Sequence, residues 1–425
     1  MNNSNEYKMT QAVYVHIPFC RQKCLYCDFA SYAGCGEQEM RTYADAVCSE
    51  IAGRADEGKN VADNATIYFG GGTPSTLPTE ALNKIVRALK QYGFWRSPAE
   101  ATIEVNPGTA DLEKLRYYKA LGFDRISFGV QSLNDNELKT IGRIHSAAEA
   151  LEALKLAKEA GFKRISADLI YGLPNQTLDS LKDTLERLLK TGIEHISVYG
   201  LIVEDGTPLA SLVENGRLQL PDEDTAADMY ELLQRMMKEA GFTRYEISNY
   251  AKNEQYSRHN LVYWQYHPYA GFGAAAAGFD GRVRRSAVET VADYINGVHC
   301  LFGADNGKCK SVVQCSNCCS SYEAKSAFKS GFQSEDEAFD ELYLEEKLST
   351  AELFGEFMFM GLRCSKGADI NEAHTRFGID VWDRYKDKLQ PLIEHNLLVY
   401  DKENGYLRLT EHGMAVGNQI FEIFI

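Results

Sequence analysis

Four segments of this chain share one grammar, and that repetition limits its fold more than any other feature. GFDRISFGV (122–130), GFKRISADLI (161–170), GIEHISVYGL (192–201) and GFTRYEISNY (241–250) each open on glycine and run on into a β-type sequence. Each follows a helix-like stretch. A glycine there suits the left-handed backbone just past a helix C-terminus. SAAEALEALKLAKEA (146–160) and SLKDTLERLLKT (180–191) place apolar residues three and four apart, as amphipathic helices do. Earlier units extend the series: AVYVHIPF from residue 12, ATIYFGGG (65–72) and ATIEVNPG (101–108). Strand and helix alternating at roughly 30–40 residues force parallel pairing through right-handed crossovers. The expectation is an α/β fold, as an open sheet or a barrel. Unusual words close the successive strands: HIPFC, FGGGTP, EVNP, FGVQS and DLIYGLP. Polar, Gly and Pro residues collected at strand C-terminal ends favour a barrel with one shared site at its mouth.

Chemistry enters between Tyr14 and Phe29, YVHIPFCRQKCLYCDF, where Cys20, Cys24 and Cys27 form a C-x3-C-x2-C triplet. Three soft thiolates on one tight loop suit an iron–sulfur cluster. A four-iron cluster normally takes four ligands, so three leave one iron open, much as a catalytic zinc keeps one position free. The competing readings are a zinc site, which needs a fourth nearby ligand, and three unrelated buried thiols. GGGTP (70–74) lets backbone approach a ligand and offers N–H donors; alone it is equally a tight turn. Glu104 ends the third strand, where its carboxylate can accept from ribose hydroxyls or an ammonium group. Asp168 lies inside an apolar strand, a costly place without a partner, so it pairs with a cation or faces a ligand. In HNLVYW (259–264), His259 offers a neutral imidazole of the kind that ligates heme iron, and Tyr263 and Trp264 offer flat area for a porphyrin. A histidine beside aromatics is otherwise a core packing group.

The triplet resembles the signature of the radical S-adenosylmethionine (SAM) superfamily, in which SAM chelates the open iron. YVHIPFC, GGGTPS, GVQS and DLIYGLP narrow the likeness to the branch holding oxygen-independent coproporphyrinogen III oxidase and the HemW-type heme chaperones. The resemblance implies a partial, TIM-like (β/α)6 barrel with a [4Fe-4S] cluster on Cys20, Cys24 and Cys27. It implies SAM against Tyr14, Gly71 and Glu104, with Gly71, Gly72 and Thr73 along the methionyl group. A second SAM position, seen in the oxidase branch, would involve Gly72, Thr73, Gln131, Arg143 and Asp168. HNLVYW matches the H-N-x-x-Y-W motif associated with heme binding in HemW-type proteins, which implies heme at His259, Tyr263 and Trp264. Arg258, Arg282, Arg284 and Arg285 would then face the propionates, against a default reading as solvated surface. Two departures from the oxidase pattern favour the chaperone. Phe29 stands where oxidases carry a further cysteine, and only 11 residues precede the first strand, too few for the oxidases' N-terminal arm. The expected function is binding heme, a cluster and SAM, and transferring heme to an acceptor hemoprotein, without coproporphyrinogen oxidase activity. The alternatives are a radical SAM oxidoreductase acting on a tetrapyrrole, namely that oxidase, and a radical SAM enzyme for another substrate.

A chain of 425 residues suggests two or three domains. Residues 1–250 read as the partial barrel and 251–298 as a heme-motif region packed on it. Residues 299–340 read as a Cys-rich linker or insertion, and 341–425 as a small α+β, winged-helix-like domain that packs or meets a partner. In the insertion, Cys300, Cys309, Cys315, Cys318 and Cys319 have partial metal-ligand spacing or form a reactive loop. Cys35, Cys48 and Cys364 read as packing thiols. The 45 basic residues against 60 acidic ones leave a net charge of −15, which repels phosphate backbones and argues against nucleic acid. MNNSNEYKMTQ lacks the apolar core of a secretory signal, and GFGAAAAGF and FGEFMFMGL fall short of the ~20 residues of a membrane span. The expectation is a cytoplasmic protein with reduced cysteines and no membrane span. Homodimer formation is left open by the sequence.

Overall fold

The computed structural model describes residues 9–303 and 335–424. Cys309, Cys315, Cys318 and Cys319 therefore lie outside the described residues. The first half alternates strand and helix as expected. It contains β1 (Thr10–Ile17), the short pair β2 (Phe19–Cys20) and β3 (Tyr32–Ala33), then β4 (Val61–Gly71), β5 (Ala101–Val105), β6 (Arg125–Gln131), β7 (Arg164–Tyr171) and β8 (His195–Gly200). β1 and β4 through β8 lie side by side in that order, all parallel. This is the partial six-strand barrel.

Helix boundaries follow local chemistry. The helix Ala147–Glu159 starts at Ser146, whose hydroxyl accepts from the Glu149 N–H while the Glu149 carboxylate returns to the Ser146 N–H. Gly122, Gly161, Gly192 and Gly241, which open the four repeats, all have positive φ, from 68° to 113°.

The fourth repeat departs from its siblings. After Gly241 the chain forms only β9 (Thr243–Arg244) and β10 (Asn249–Ala251), and β10 runs antiparallel to both β8 and β9. Between them the buried Glu246 carboxylate accepts from the Ser248 N–H at 3.1 Å and from the Asn249 amide, holding a turn that ends the parallel series.

Residues 251–290, which show no alternation in the sequence, extend the sheet at its opposite edge. They contain a helix, Arg258–Trp264, then β11 (Tyr269–Phe272), β12 (Ala277–Phe279) and β13 (Val283–Ala287); β14 (Tyr343–Lys347) follows. β11 lies parallel beside β1, and the order runs β14-β13-β12-β11-β1 across this edge, giving this sheet twelve strands among the described residues. The strands are short and rich in Gly and Ala because backbones approach closely; a Cβ on Gly271 would run into the Ala277 backbone.

One apolar core fills the barrel and its helix layer, from Val13, Ile67 and Ile103 to Leu169 and Leu185. A second core joins Phe354, Phe357, Leu389 and Phe421 with Tyr266 and Phe279. It holds the helices Thr350–Leu362, Ile370–Phe377 and Val381–Glu394 and an antiparallel sheet of β15 (Ala368–Asp369), β16 (Leu398–Asp401) and β17 (Tyr406–Leu409). The HNLVYW region thus contributes to the core of the C-terminal unit as well as packing on the barrel. Cys48 and Cys364 are free thiols, pushed by burial to about 11 and about 12. Cys35 is disulfide-bonded, which corrects its reading as a packing thiol. No described helix is long and apolar enough to cross a membrane.

Candidate functional site

β1 delivers the chain to the cysteine loop at the C-terminal edge of the sheet. Each thiol there meets a polar group. Cys20 Sγ lies 3.5 Å from the Thr73 hydroxyl and Cys27 Sγ 3.8 Å from the Ser31 hydroxyl, while Arg143 Nη1 donates to Cys24 Sγ at 3.4 Å. Burial raises the Cys20 and Cys27 thiols, and the neighbouring sulfurs add to the rise. Bound metal reverses that balance, because coordination deprotonates a thiol. Among the described residues, no three His, Cys, Asp or Glu side chains converge on a position for one ion.

GGGTP packs directly under this loop. The Gly72 N–H donates to the Ile17 carbonyl at 2.9 Å and the Thr73 N–H to the Phe19 carbonyl at 2.8 Å. A Cβ on Gly72 would lie 2.8 Å from the Phe19 carbonyl oxygen. Thr73 Oγ1 also accepts from Asn106 Nδ2 at 2.7 Å. Gly72 and Thr73 therefore serve the cysteine loop. Only Gly71, at φ 109°, lines open space; its missing Cβ leaves room for the His16 ring 2.5 Å from where that atom would sit.

That open space is a cavity of about 650 Å³. Tyr14, Gly71 and Glu104 line one side, from the ends of β1, β4 and β5. Tyr263 and Trp264 of HNLVYW line another, and Phe29 of the cysteine loop reaches it as well. Glu104 accepts from the Tyr68 hydroxyl at 2.5 Å, and burial pushes its carboxyl up to about 7. The Tyr14 hydroxyl lies 3.0 Å from His16 Nδ1.

Of the residues expected at a second SAM position, Thr73 and Arg143 meet through Asn106, and Arg143 Nη2 and Gln131 Nε2 would both lie 3.1 Å from a Cβ on Gly129. Arg143 Nη2 donates to the Asn106 carbonyl oxygen Oδ1 at 2.7 Å and to the Gly129 carbonyl at 2.5 Å, so its guanidinium braces the cysteine loop against β6. The crevice shared by Thr73, Arg143 and Cys24 is about 20 Å³, room for water but far below the ~300 Å³ at which small-molecule pockets begin. Gln131 sits at a β-bulge with φ 65°. Asp168 accepts from the Ser127 hydroxyl at 3.2 Å. Burial raises the Asp168 carboxyl, and the Ser197 hydroxyl and the Arg125 charge counter part of that. Asp168 thus has its partners within the protein.

HNLVYW forms the helix Arg258–Trp264, capped by the Ser257 hydroxyl. Glu100, fully buried and paired with Arg164 at 2.6 Å, accepts from the Arg258 and His259 N–H groups at 3.0 and 3.1 Å. A carboxylate at a helix N-terminus is favoured by the orphan N–H groups and the dipole. His259 is 1% exposed. Its Nδ1 lies 2.9 Å from the Thr66 hydroxyl, its Nε2 lies 2.8 Å from the Tyr263 hydroxyl, and its ring stacks on Tyr68. Burial lowers its pKa to about 3, so the ring is neutral. The sequence offers this imidazole as a heme ligand; in the structure both of its ring nitrogens lie within hydrogen-bond distance of protein hydroxyls. Trp264 Nε1 is buried without a hydrogen-bond partner among the described residues, and the Arg363 guanidinium sits 4.8 Å from the Trp264 ring. Of the four arginines near the motif, only Arg284 lines the cavity, and it already pairs with Glu356 at 2.6 Å and Glu346 at 3.0 Å. Tyr68, Asn106 and Glu100 were not foreseen. The alternation along β4 could have flagged Tyr68 beside Thr66, whereas nothing in the sequence marks Glu100.

Residues 14–188 match the family model described as the radical SAM superfamily, and residues 348–416 match the HemN C-terminal domain. The heme chaperone HemW of Bacillus subtilis (strain 168) is 34% identical over 417 residues, covering 98% of this chain and 99% of its own. The heme chaperone HemW of Lactococcus lactis is 30% identical over 414 residues, covering 97% of each. Among solved structures, coproporphyrinogen III oxidase (HemN) from Escherichia coli, a radical SAM enzyme, superposes with a TM-score of 0.76 over 99% of this chain and 91% of its own. At 20% identity that likeness is one of fold. The full-length sequence identity decides between the two branches, and the chain belongs to the HemW heme chaperone family of the radical SAM superfamily.

Proposed function

We propose that this protein binds heme in the cavity between the strand ends and the HNLVYW helix, and passes it to an acceptor hemoprotein. Cys20, Cys24 and Cys27 would hold a [4Fe-4S] cluster, with SAM beside it against Tyr14, Gly71 and Glu104. The observation that carries the reading is that one cavity, of about 650 Å³, is bounded both by Tyr14, Gly71 and Glu104 and by Tyr263 and Trp264. Its size is that of a small-molecule site, typically ~300–1,000 Å³. The unpartnered Trp264 N–H supports it, because a buried donor without an acceptor suits a ligand oxygen such as a propionate. Bound, the cluster would supply an iron that accepts the amino and carboxylate groups of SAM.

The protein's own groups prepare that place. Arg143 holds Cys24 Sγ in place by donating to it at 3.4 Å. Gly72 and Thr73 fix the loop's height above the strands. Glu104, when ionised, accepts from a SAM hydroxyl or ammonium. Thr73, Arg143, Gln131 and Asp168 act in this reading on the loop and the barrel interior, leaving one SAM position. The proposed setting is the cytoplasm, where Cys20, Cys24 and Cys27, free thiols in this structure, stay available to a cluster.

The test uses full-length protein reconstituted anaerobically with iron and sulfide. Heme titration should saturate at a fixed stoichiometry, and mixing with an apo-hemoprotein should move the Soret absorbance to the acceptor. Coproporphyrinogen III should stay unchanged with SAM and reductant. Conversion of that substrate, with 5′-deoxyadenosine formed, would establish the oxidase instead.

A further inference from the structure

Three imidazoles stand in or behind the cavity wall, and they are not equivalent. His16 has Nδ1 3.0 Å from the Tyr14 hydroxyl and Nε2 2.9 Å from the Ala30 carbonyl. It thereby ties β1 to the cysteine loop. His259 has both nitrogens engaged, is 1% exposed and is not among the cavity's lining residues. Moving its ring to an iron would break contacts to Thr66 and Tyr263 and the stack on Tyr68, and would leave buried hydroxyls unsatisfied.

The third imidazole is His267, three residues beyond Trp264. Tyr266 adopts φ 56°, and this left-handed residue turns the chain so that the His267 N–H closes on the Val262 carbonyl at 3.0 Å. The turn sends Tyr266 into the second core and places His267 in the cavity wall, with Tyr263, Trp264 and Met360 around the same space. Burial and the Arg376 charge lower its pKa to about 4, so the ring is neutral at physiological pH, the form that donates a lone pair to a metal.

We propose that His267 is the protein donor to the heme iron, and that His259 is a positioning residue that seats the HNLVYW helix. The inference rests on the heme-binding reading above. A chaperone must let its cargo go. One imidazole, offered from the turn after a helix, leaves the far face of the heme open to an acceptor's ligand. Trp264 and Tyr263 flank the porphyrin, and the buried ring of His259 keeps them there by gripping the Tyr263 hydroxyl on one side and β4 on the other.

The experiment uses full-length, anaerobically reconstituted protein loaded with ferric heme, read by Soret absorbance and electron paramagnetic resonance. Wild type should show an imidazole-ligated signature. His267→Gly should lose it and bind heme about tenfold or more weakly, and added imidazole should restore the wild-type spectrum. His259→Gln, which keeps hydrogen-bonding capacity, should keep the wild-type spectrum while heme affinity falls. A His267→Gly protein with an unchanged spectrum, or a His259→Gln protein that alone loses the imidazole signature, overturns the assignment. Failure of wild type to take up heme overturns the heme-binding reading itself, so the two failures are distinct.

Discussion

Glu104 is the residue whose ionisation the structure makes most consequential. Its carboxyl lies up near 7 chiefly because burial penalises the charge, and the Tyr68 hydroxyl offsets only part of this. Between the ordinary value of 4.5 and about 7 the folded protein holds a proton that the unfolded chain releases. Stability from the neutral form is therefore full below the ordinary value, falls as pH rises across that window, and levels off above it. Glu104→Gln should raise the melting temperature of ligand-free protein at about pH 8 and leave it unchanged at about pH 4, as calorimetry can read. In the proposed function the same ionisation would govern SAM. Affinity measured by equilibrium dialysis should increase from about pH 6 to about pH 8 in wild type and stay flat in Glu104→Gln. Arg143 makes a second test at this scale. Its contact with Cys24 is charge-assisted, so Arg143→Leu should lower the iron and sulfide content of reconstituted protein while the fold persists by circular dichroism.

Among elements, the cysteine loop and the GGGTP turn behave as one unit. The sequence marked both, but for reasons that hold only in part. Three adjacent glycines read as a ligand cradle, and only Gly71 lines the cavity. Gly72 is small because the loop's own backbone lies against it, with the Phe19 carbonyl oxygen 2.8 Å from a would-be Cβ. Gly72→Ala should therefore push the cysteine loop outward. Iron content after reconstitution should drop well below wild type, and serine in place of all three cysteines should bring it to background. Retention of full iron by Gly72→Ala would show that the loop yields without cost. The helix Arg258–Trp264 tells a similar story. Its aromatic word was legible, but its orientation came from Glu100 beneath its first turn and from Thr66 beside its histidine.

At the scale of the molecule, one buried carboxylate joins segments that the chain keeps far apart. Glu50 accepts from Arg54 at 2.7 Å, the Gly273 N–H at 3.0 Å, the Tyr294 hydroxyl at 2.6 Å and the Tyr343 hydroxyl at 2.7 Å. It thus links the first barrel helix to the turn after β11, to the helix Val291–Phe302 and to β14. Glu50→Ala should cost about 3–5 kcal/mol in urea unfolding, because it leaves two buried hydroxyls and the Gly273 N–H without their acceptor and takes from the buried Arg54 one of its two carboxylate partners, Glu57 being the other. What the sequence by itself determined was the local chemistry: sulfur ligands at loop spacing, glycine after each helix, and apolar periodicity in strand–helix order. These effects act between near neighbours, so order along the chain records them. Only the tertiary structure decided that β11 lies against β1, that the fourth repeat turns back, and that His259 faces inward while His267 meets the cavity. The Thr66–His259 contact spans 193 residues. Such a contact is chosen by which surfaces pack and which buried polar groups find partners, and no rule of spacing along the chain carries that information.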